Sequence, residues 1–248
     1  MGKNSQHLDN LLRDWPYEFG EVAARRASGS DGRELVQLRI DLGMLQMEVE
    51  GRPDGSRPGG FATFYDHLIS LAFDEGESFG LDDERCMEVD REFVQFHHRR
   101  IGWLALREFR RAVNDADHTL RLMDFSSAHA PSEEWADLHE QYRAFVLFHR
   151  TQADALAKLD ELNPESAVAA LDEGLSKIRD VFTQHDMLED FEEDELVIKL
   201  MEMKEALSEL YELRPSLAEQ LAEAIAEEQY ERAAELRDRL ARLPQREI

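Results

Sequence analysis

The chain has 248 residues, 42% of them hydrophobic and 33% charged, with 54 acids against 29 bases for a formal net charge of −25. That length allows one large domain or two small ones, and the low Gly and Pro content favours helices. So acidic a molecule repels a bare duplex and an anionic membrane, because nucleic-acid affinity rests on neutralising phosphates with Lys and Arg.

The charge is uneven. Residues 1–60 hold 10 acids and 8 bases, so nearly all of the excess lies beyond them. The Arg residues of that segment (25, 26, 33, 39, 52 and 57) are the only candidates for a basic stripe. A single cysteine, Cys86, leaves no disulfide framework and no Cys-based zinc site, which fits a reducing cytoplasm. The first residues lack an apolar signal core, and no run approaches the ~18 apolar residues of a membrane span.

Residues 8–16 read as a short helix ending at Trp15-Pro16. Glu21 to Ala27 is a strand candidate, and Gly29-Ser30-Asp31-Gly32 is a hairpin turn. Val36, Leu38, Ile40 and Leu42 then alternate with Gln37, Arg39 and Asp41. After Gly43, Leu45, Met47 and Val49 alternate with Gln46, Glu48 and Glu50. This predicts a three-stranded antiparallel meander with one buried face, covered by neighbouring helices. Residues 51–60 have a loop composition, read as a plain linker or as a ligand or partner loop. They lack the Gly-Lys-Ser/Thr ending of a phosphate loop.

From Phe61 onward the pattern is helical. One helix runs from Phe61 to Phe73. Asp82-Asp83 cap the next, which holds Met87, Phe93, Phe96, Ile101 and Leu104. Another runs from about Arg107 to Met123, with Ala112, Ala116 and Leu120 inward. Ser126 to Pro131 breaks the pattern, and Ser132-Glu133-Glu134 opens one long helix through Trp135, Tyr142, Phe148 and Leu159. Asn163-Pro164-Glu165 restarts the chain into a helix with Ala167, Ala170, Leu171, Leu175, Ile178 and Phe182. Phe96 to Arg100 and Phe148 to Thr151 echo each other, each ahead of a helix with small residues. That echo fits tetratricopeptide-like repeats as well as an ordinary helical bundle.

Between Asp186 and Glu195 seven of ten residues are acidic, a pattern suited to a solvated helix start. Leu196, Leu200, Met203, Leu207 and Leu210 form a short heptad seam, for packing on the body or for self-association.

Signatures of chemistry are sparse. Of nine histidines only His118 has an acid three residues earlier, Asp115, and no His-Glu-x-x-His occurs. Cys86 sits among Asp82, Asp83, Glu84 and Glu88, which oppose thiolate formation. No nucleophile elbow, dinucleotide fingerprint or phosphate loop is present. No catalytic residue, cofactor or metal site is therefore assigned. The rival to a binding role is an enzyme or small-ligand or metal binder using His97, His98, His149 and carboxylates of the helical body.

The C-terminal stretch is the most informative. Leu217, Leu221, Ala224 and Ile225 share one helical face, and Tyr230, Ala233, Ala234, Leu236, Leu240 and Leu243 begin a second. Arg214-Pro215 stands just ahead. Two helices of about three turns each do not cover their own apolar stripes, so a partner surface is expected. Leu217, Leu221, Ala224, Tyr230-Glu231, Ala233-Ala234, Leu236-Arg237-Asp238 and Leu240 resemble the UVR domain, the hairpin through which UvrB and UvrC meet. The same module occurs in adaptors of Clp proteases and of protein-arginine kinases. The chain departs from that family at Glu228, where an apolar residue is usual. The resemblance implies a bacterial protein whose partner is a UVR-bearing repair protein, a Clp-type ATPase or an arginine kinase. A homodimer through the same surface is the further option. Adaptors of Clp proteases carry Cys-rich zinc modules that this chain lacks.

The expectation is a mainly α protein in four parts: residues 1–60, a β-meander and loop; 61–185, an antiparallel helical bundle or solenoid; 186–213, an acidic heptad helix; and 214–248, a helical hairpin. It would act as a cytoplasmic, non-enzymatic adaptor linked to excision repair or protein quality control. Leu217, Leu221, Ile225, Tyr230, Ala233, Ala234, Leu236, Arg237, Asp238 and Leu240 are the candidate docking residues. Tyr230 is the anchor, and Arg237 and Asp238 give polar register.

Overall fold

The computed structural model describes residues 8–213, 217–227 and 229–241, with backbone alone at 217–219, 222–223 and 240–241. The chain is mainly α and forms two compact units, Met1–Leu200 and Met201–Ile248. Among the described residues no helix is long and apolar enough to cross a membrane.

A short helix, α1 (Asp9–Asp14), precedes the sheet. Strands β1 (Ala24–Ser28), β2 (Glu34–Ile40) and β3 (Gly43–Glu48) form an antiparallel meander in the order β1-β2-β3. Leu38 pairs with Ala24 on one side and Leu45 on the other. Gly32, at φ +85°, closes the first hairpin by donating to the Gly29 carbonyl at 3.0 Å.

The expected single buried face is only half of the arrangement. Val36, Leu38 and Met47 do pack against helices, in a cluster with Trp103, Phe109, Ala112 and Val113. Gln37 and Arg39 on the opposite face are buried as well. Polar side chains tolerate this because each finds partners. Arg25 donates to Gln37 at 2.8 Å, Gln37 to Gln46 at 2.9 Å, and Arg39 to the Trp15 carbonyl at 2.8 Å. The segment around Trp15 and Tyr17 therefore covers the far face. The alternation also stops early: β2 ends at Ile40, and Leu42 is exposed in the turn.

Residues 51–60 form a strap fixed by charge rather than a free linker. Arg52 is buried, with Nη2 2.6 Å from Glu88 and Nε 3.5 Å from Glu92. Asp54 meets Arg91 at 3.2 Å and Gln95 at 2.9 Å.

Helix α2 (Phe64–Glu75) is capped by Thr63, whose hydroxyl accepts from the Asp66 amide. It is capped a second time from a distance. The Glu92 carboxylate, on α3 (Asp83–Ala105), accepts from the Phe64 amide at 2.7 Å and the Tyr65 amide at 3.0 Å. His118 Nε2, on α4 (Phe109–Ala128), lies 2.9 Å from the same carboxylate, which is 0% exposed. A buried anion is tolerable here because the α2 N-terminus, Arg52 and His118 converge on it.

Asp82 caps α3 by accepting from the Arg85 amide. Of the apolar residues expected on this helix, Phe96 is buried and Met87 is exposed on the opposite side. Helix α4 outlasts its predicted end near Met123. It continues to Ala128 because Phe125 packs edge-on against Tyr65 and Phe79.

The single long helix expected from Ser132 is two helices, α5 (Glu133–Glu140) and α6 (Arg143–Asp160), with a turn at Gln141-Tyr142. Their packing differs: α5 stacks His139 on Phe93 of α3, while α6 lies between α4 and α7 (Pro164–Gln184). Asn163 caps α7 and Pro164 opens it. At Gly174 the two helices touch so closely that a Cβ would lie 2.0 Å from Thr151 Oγ1.

Only the end of the acidic run is the start of an α-helix. Leu188–Glu193 is a 3-10 turn anchored by buried Phe191 against Phe182, and Asp194 caps α8 (Glu195–Leu210) by accepting from the Leu196 and Val197 amides. Along the heptad seam Leu200 and Leu207 are buried, whereas Leu210 is exposed.

Glu92→Ala is expected to destabilise the chain by about 3–5 kcal/mol in denaturant unfolding, since it strands the Phe64 and Tyr65 amides and takes one of its carboxylates from buried Arg52, which keeps Glu88. Gly174→Ala is expected to cost about 1–3 kcal/mol by forcing α6 and α7 apart, read in the same assay.

Candidate functional site

The sequence of the C-terminal hairpin is rich in Ala, Leu, Glu and Arg and free of Gly and Pro from Leu217 to Leu243, which favours helix throughout. Helices α9 (Leu217–Ala226) and α10 (Tyr230–Ala241) form, and they pack against each other. The link between them is held by the Gln229 amide donating to the Ala224 carbonyl at 2.7 Å, while the Gln229 carbonyl accepts from the Ala233 amide at 2.9 Å.

The interior is small. Ala224, Ala233 and Leu236 are buried, with Leu221 packed against them. Two alanines at the contact let the helices approach closely, but they bury little apolar area. The structure thus divides the candidate docking residues. Leu221, Ala233 and Leu236 hold the hairpin together. Ile225 is 55% exposed and Tyr230 69% exposed, leaving an aliphatic and an aromatic side chain open beside the turn. Ala234 is half-buried. Arg237 and Asp238 are exposed and pair with each other at 2.8 Å. The side chains of Leu217 and Leu240 lie outside the described residues, as do Glu228, Arg214-Pro215 and Leu243.

The histidines of the helical body do not form one cluster. Asp115 is taken by Arg99 in a two-pronged pair at 2.7 and 2.9 Å, and His118 by Glu92, so the lone acid-x-x-His spacing serves two different contacts. Among the described residues no three His, Cys, Asp or Glu side chains group to hold a metal ion. Burial pushes the Cys86 thiol pKa up, and Asp90, Asp83 and Asp82 add to it.

His97 and His149 do share a neighbour. Arg100 donates to His149 Nδ1 at 3.4 Å and lies 3.3 Å from His97 Nδ1. An arginine only donates, so both Nδ1 atoms accept and both rings are neutral. Burial first, then the Arg100 cation, pushes the imidazole of His149 down to about 3 and that of His97 to about 4. His97 and Arg100 face a cavity of about 690 Å³ that also receives His139 and Asp90. Arg100 was not singled out by sequence reasoning. Its signal was there: it lies four residues after Phe96 and three before Trp103, a cation on an apolar stripe.

A family model described as the UvrB/uvrC motif matches residues 212–245. The match covers α9, α10 and their flanks. No curated protein matches the chain, and no solved structure does.

Because both folded-state histidine values fall below the ordinary 6.5, the unfolded chain takes up these protons first. Their contribution to stability is present above pH 6.5 and is lost as pH falls from there towards 4 and then 3. Thermal melts between pH 7 and about 4.5 are expected to show that loss, and His149→Gln to flatten it.

Proposed function

We propose that this chain is a non-enzymatic adaptor whose C-terminal hairpin docks a second motif-bearing protein, or a second copy of itself. The observation that carries the reading is the imbalance of the hairpin. Its described interior is two alanines and a leucine, while Ile225 and Tyr230 stand open at the turn. Helices this short are marginal alone, and a partner supplies the missing cover. Aromatic side chains dominate such contacts, and Tyr230 has the area to do so here. Its ring would enter a pocket of the partner, Ile225 would widen the apolar patch, and Arg237 and Asp238 would exchange their mutual pair for polar contacts at the rim.

The match at residues 212–245 supports a partner drawn from proteins that use this motif: an excision-nuclease subunit, a Clp-type ATPase or an arginine kinase. The sheet and helical body would hold the client that the hairpin delivers. A net charge of −25 supports a protein rather than a nucleic acid as the direct contact, so any link to DNA runs through the partner. The absence of a phosphate loop, a nucleophile elbow and a dinucleotide fingerprint from the sequence supports binding over catalysis.

Tyr230→Ala is expected to weaken association with the motif-bearing partner by about 1–4 kcal/mol in calorimetry and to leave the melting temperature of the body unchanged. A chain ending at Leu213 should lose the partner altogether. Equal affinity of wild type and both variants would refute the docking role. Sedimentation of the full chain separates self-pairing, which shifts with its own concentration, from pairing with another protein.

A further inference from the structure

The cavity beside Arg100 is built by α3, α4, α5 and α6, all inside the Met1–Leu200 unit. Its floor is Met123, Val146, Thr119 and Arg100, all buried. Phe93 and Phe145 add to its apolar wall, and Val94, Leu138 and Tyr142 stand exposed around its rim. The volume, about 690 Å³, is in the range of sites for small organic ligands.

The floor carries a cation with no carboxylate in direct contact, although Asp115 acts on it from a distance. Arg100 is 1% exposed. Its contacts are the Thr119 hydroxyl at 3.1 Å and the two imidazole nitrogens of His97 and His149, all neutral acceptors. The acids nearby are engaged. Asp115 is held by Arg99, Asp117 by Arg150, and Asp90 by His139 at 2.8 Å. Of the other buried arginines, Arg39 donates to the carbonyls of Trp15 and Gly43, and 52 and 99 each have a carboxylate. A buried cation left without one is costly, and a low-dielectric pocket makes its attraction for an arriving anion strong. A guanidinium has five N–H donors. Three contacts are made, so two donors remain for a ligand.

We propose that this cavity binds a small amphiphilic monocarboxylate. Its carboxylate meets Arg100 at the floor, and its hydrocarbon lies along Phe93, Met123, Phe145 and Val146 with its end toward Leu138 and Tyr142. A single negative charge fits the floor of the site: Arg100 is the one cation there, the two histidines beside it are neutral, the one lining carboxylate, Asp90, stands half-exposed and bonded to His139, and the remaining lining is mostly apolar. A multiply charged anion such as a phosphate would meet the strongly negative field of the whole chain with nothing further to offset it. No residue of the site belongs to the hairpin: its lining ends at Val146, and His149 acts on it only through Arg100.

Calorimetry with the full chain tests this, using sodium octanoate as the probe and octanol as its neutral counterpart. Octanoate is expected to bind with one site per chain, and octanol about tenfold or more weaker. Arg100→Gln should remove that preference, as loss of a charge-assisted contact is worth about tenfold or more. Val94→Trp, at an exposed rim position that leaves the core untouched, should block the mouth and weaken octanoate about tenfold. If octanoate does not bind, if octanol binds equally well, or if Val94→Trp leaves octanoate binding unchanged, the proposal is overturned. Retention of the preference in a folded Arg100→Gln chain also overturns it.

Discussion

Glu92 is the point on which the body of this molecule depends. It is a fully buried carboxylate, and it gathers four parts of the chain that are distant in sequence: the Arg52 strap, the start of α2, α3 itself and His118 of α4. Helix starts need acceptors, and α2 begins away from water, so an anion from another helix meets that need. Once Glu92 is placed, Arg52 follows as its counter-charge and fixes residues 51–60 to α3. Arg99 extends the same logic two turns further along α3. It grips Asp115 and donates to the carbonyls of Glu48 and Gly51 at 3.0 and 2.8 Å, tying the end of β3 to the helices.

These buried ions explain what could and could not be read in the sequence. The elements set by local rules were legible. Gly29 to Gly32 marks a turn, Asp82 and Asn163 mark caps, and the alternation of Val36 and Leu38 marks a strand facing the core. Features set by long-range pairing were not. Gln37 and Arg39 look like solvent-facing residues until Trp15 is seen to supply a carbonyl. Residues 51–60 look like a linker until Arg52 meets Glu88 and Glu92. The turn at Gln141-Tyr142 has no Gly or Pro to announce it, because it reflects where α5 and α6 find their neighbours. The hairpin was legible as a motif, but the division between its interior and its open face was not. Apolar spacing treats Leu236 and Tyr230 alike, and only packing separates them.

The two units use opposite means to a stable fold. The body is rich in large side chains, with Trp103, Phe96 and Phe64 buried and charged groups paired beneath the surface. The hairpin relies on alanines, which bring helices together without covering much area. Its interior keeps Leu236 and Leu221, while Ile225 and Tyr230 stay exposed.

The turn at Leu188–Glu193 carries a final consequence. Phe191 pins it, so its carboxylates are concentrated at one fixed spot in an already anionic molecule. Two such copies approaching each other repel, and dissolved ions shield that repulsion within about 8–10 Å at ordinary ionic strength. A cationic companion is attracted by the same field. Ionic strength then becomes a selector: concentrated electrolyte favours like meeting like, and dilute electrolyte favours the oppositely charged companion.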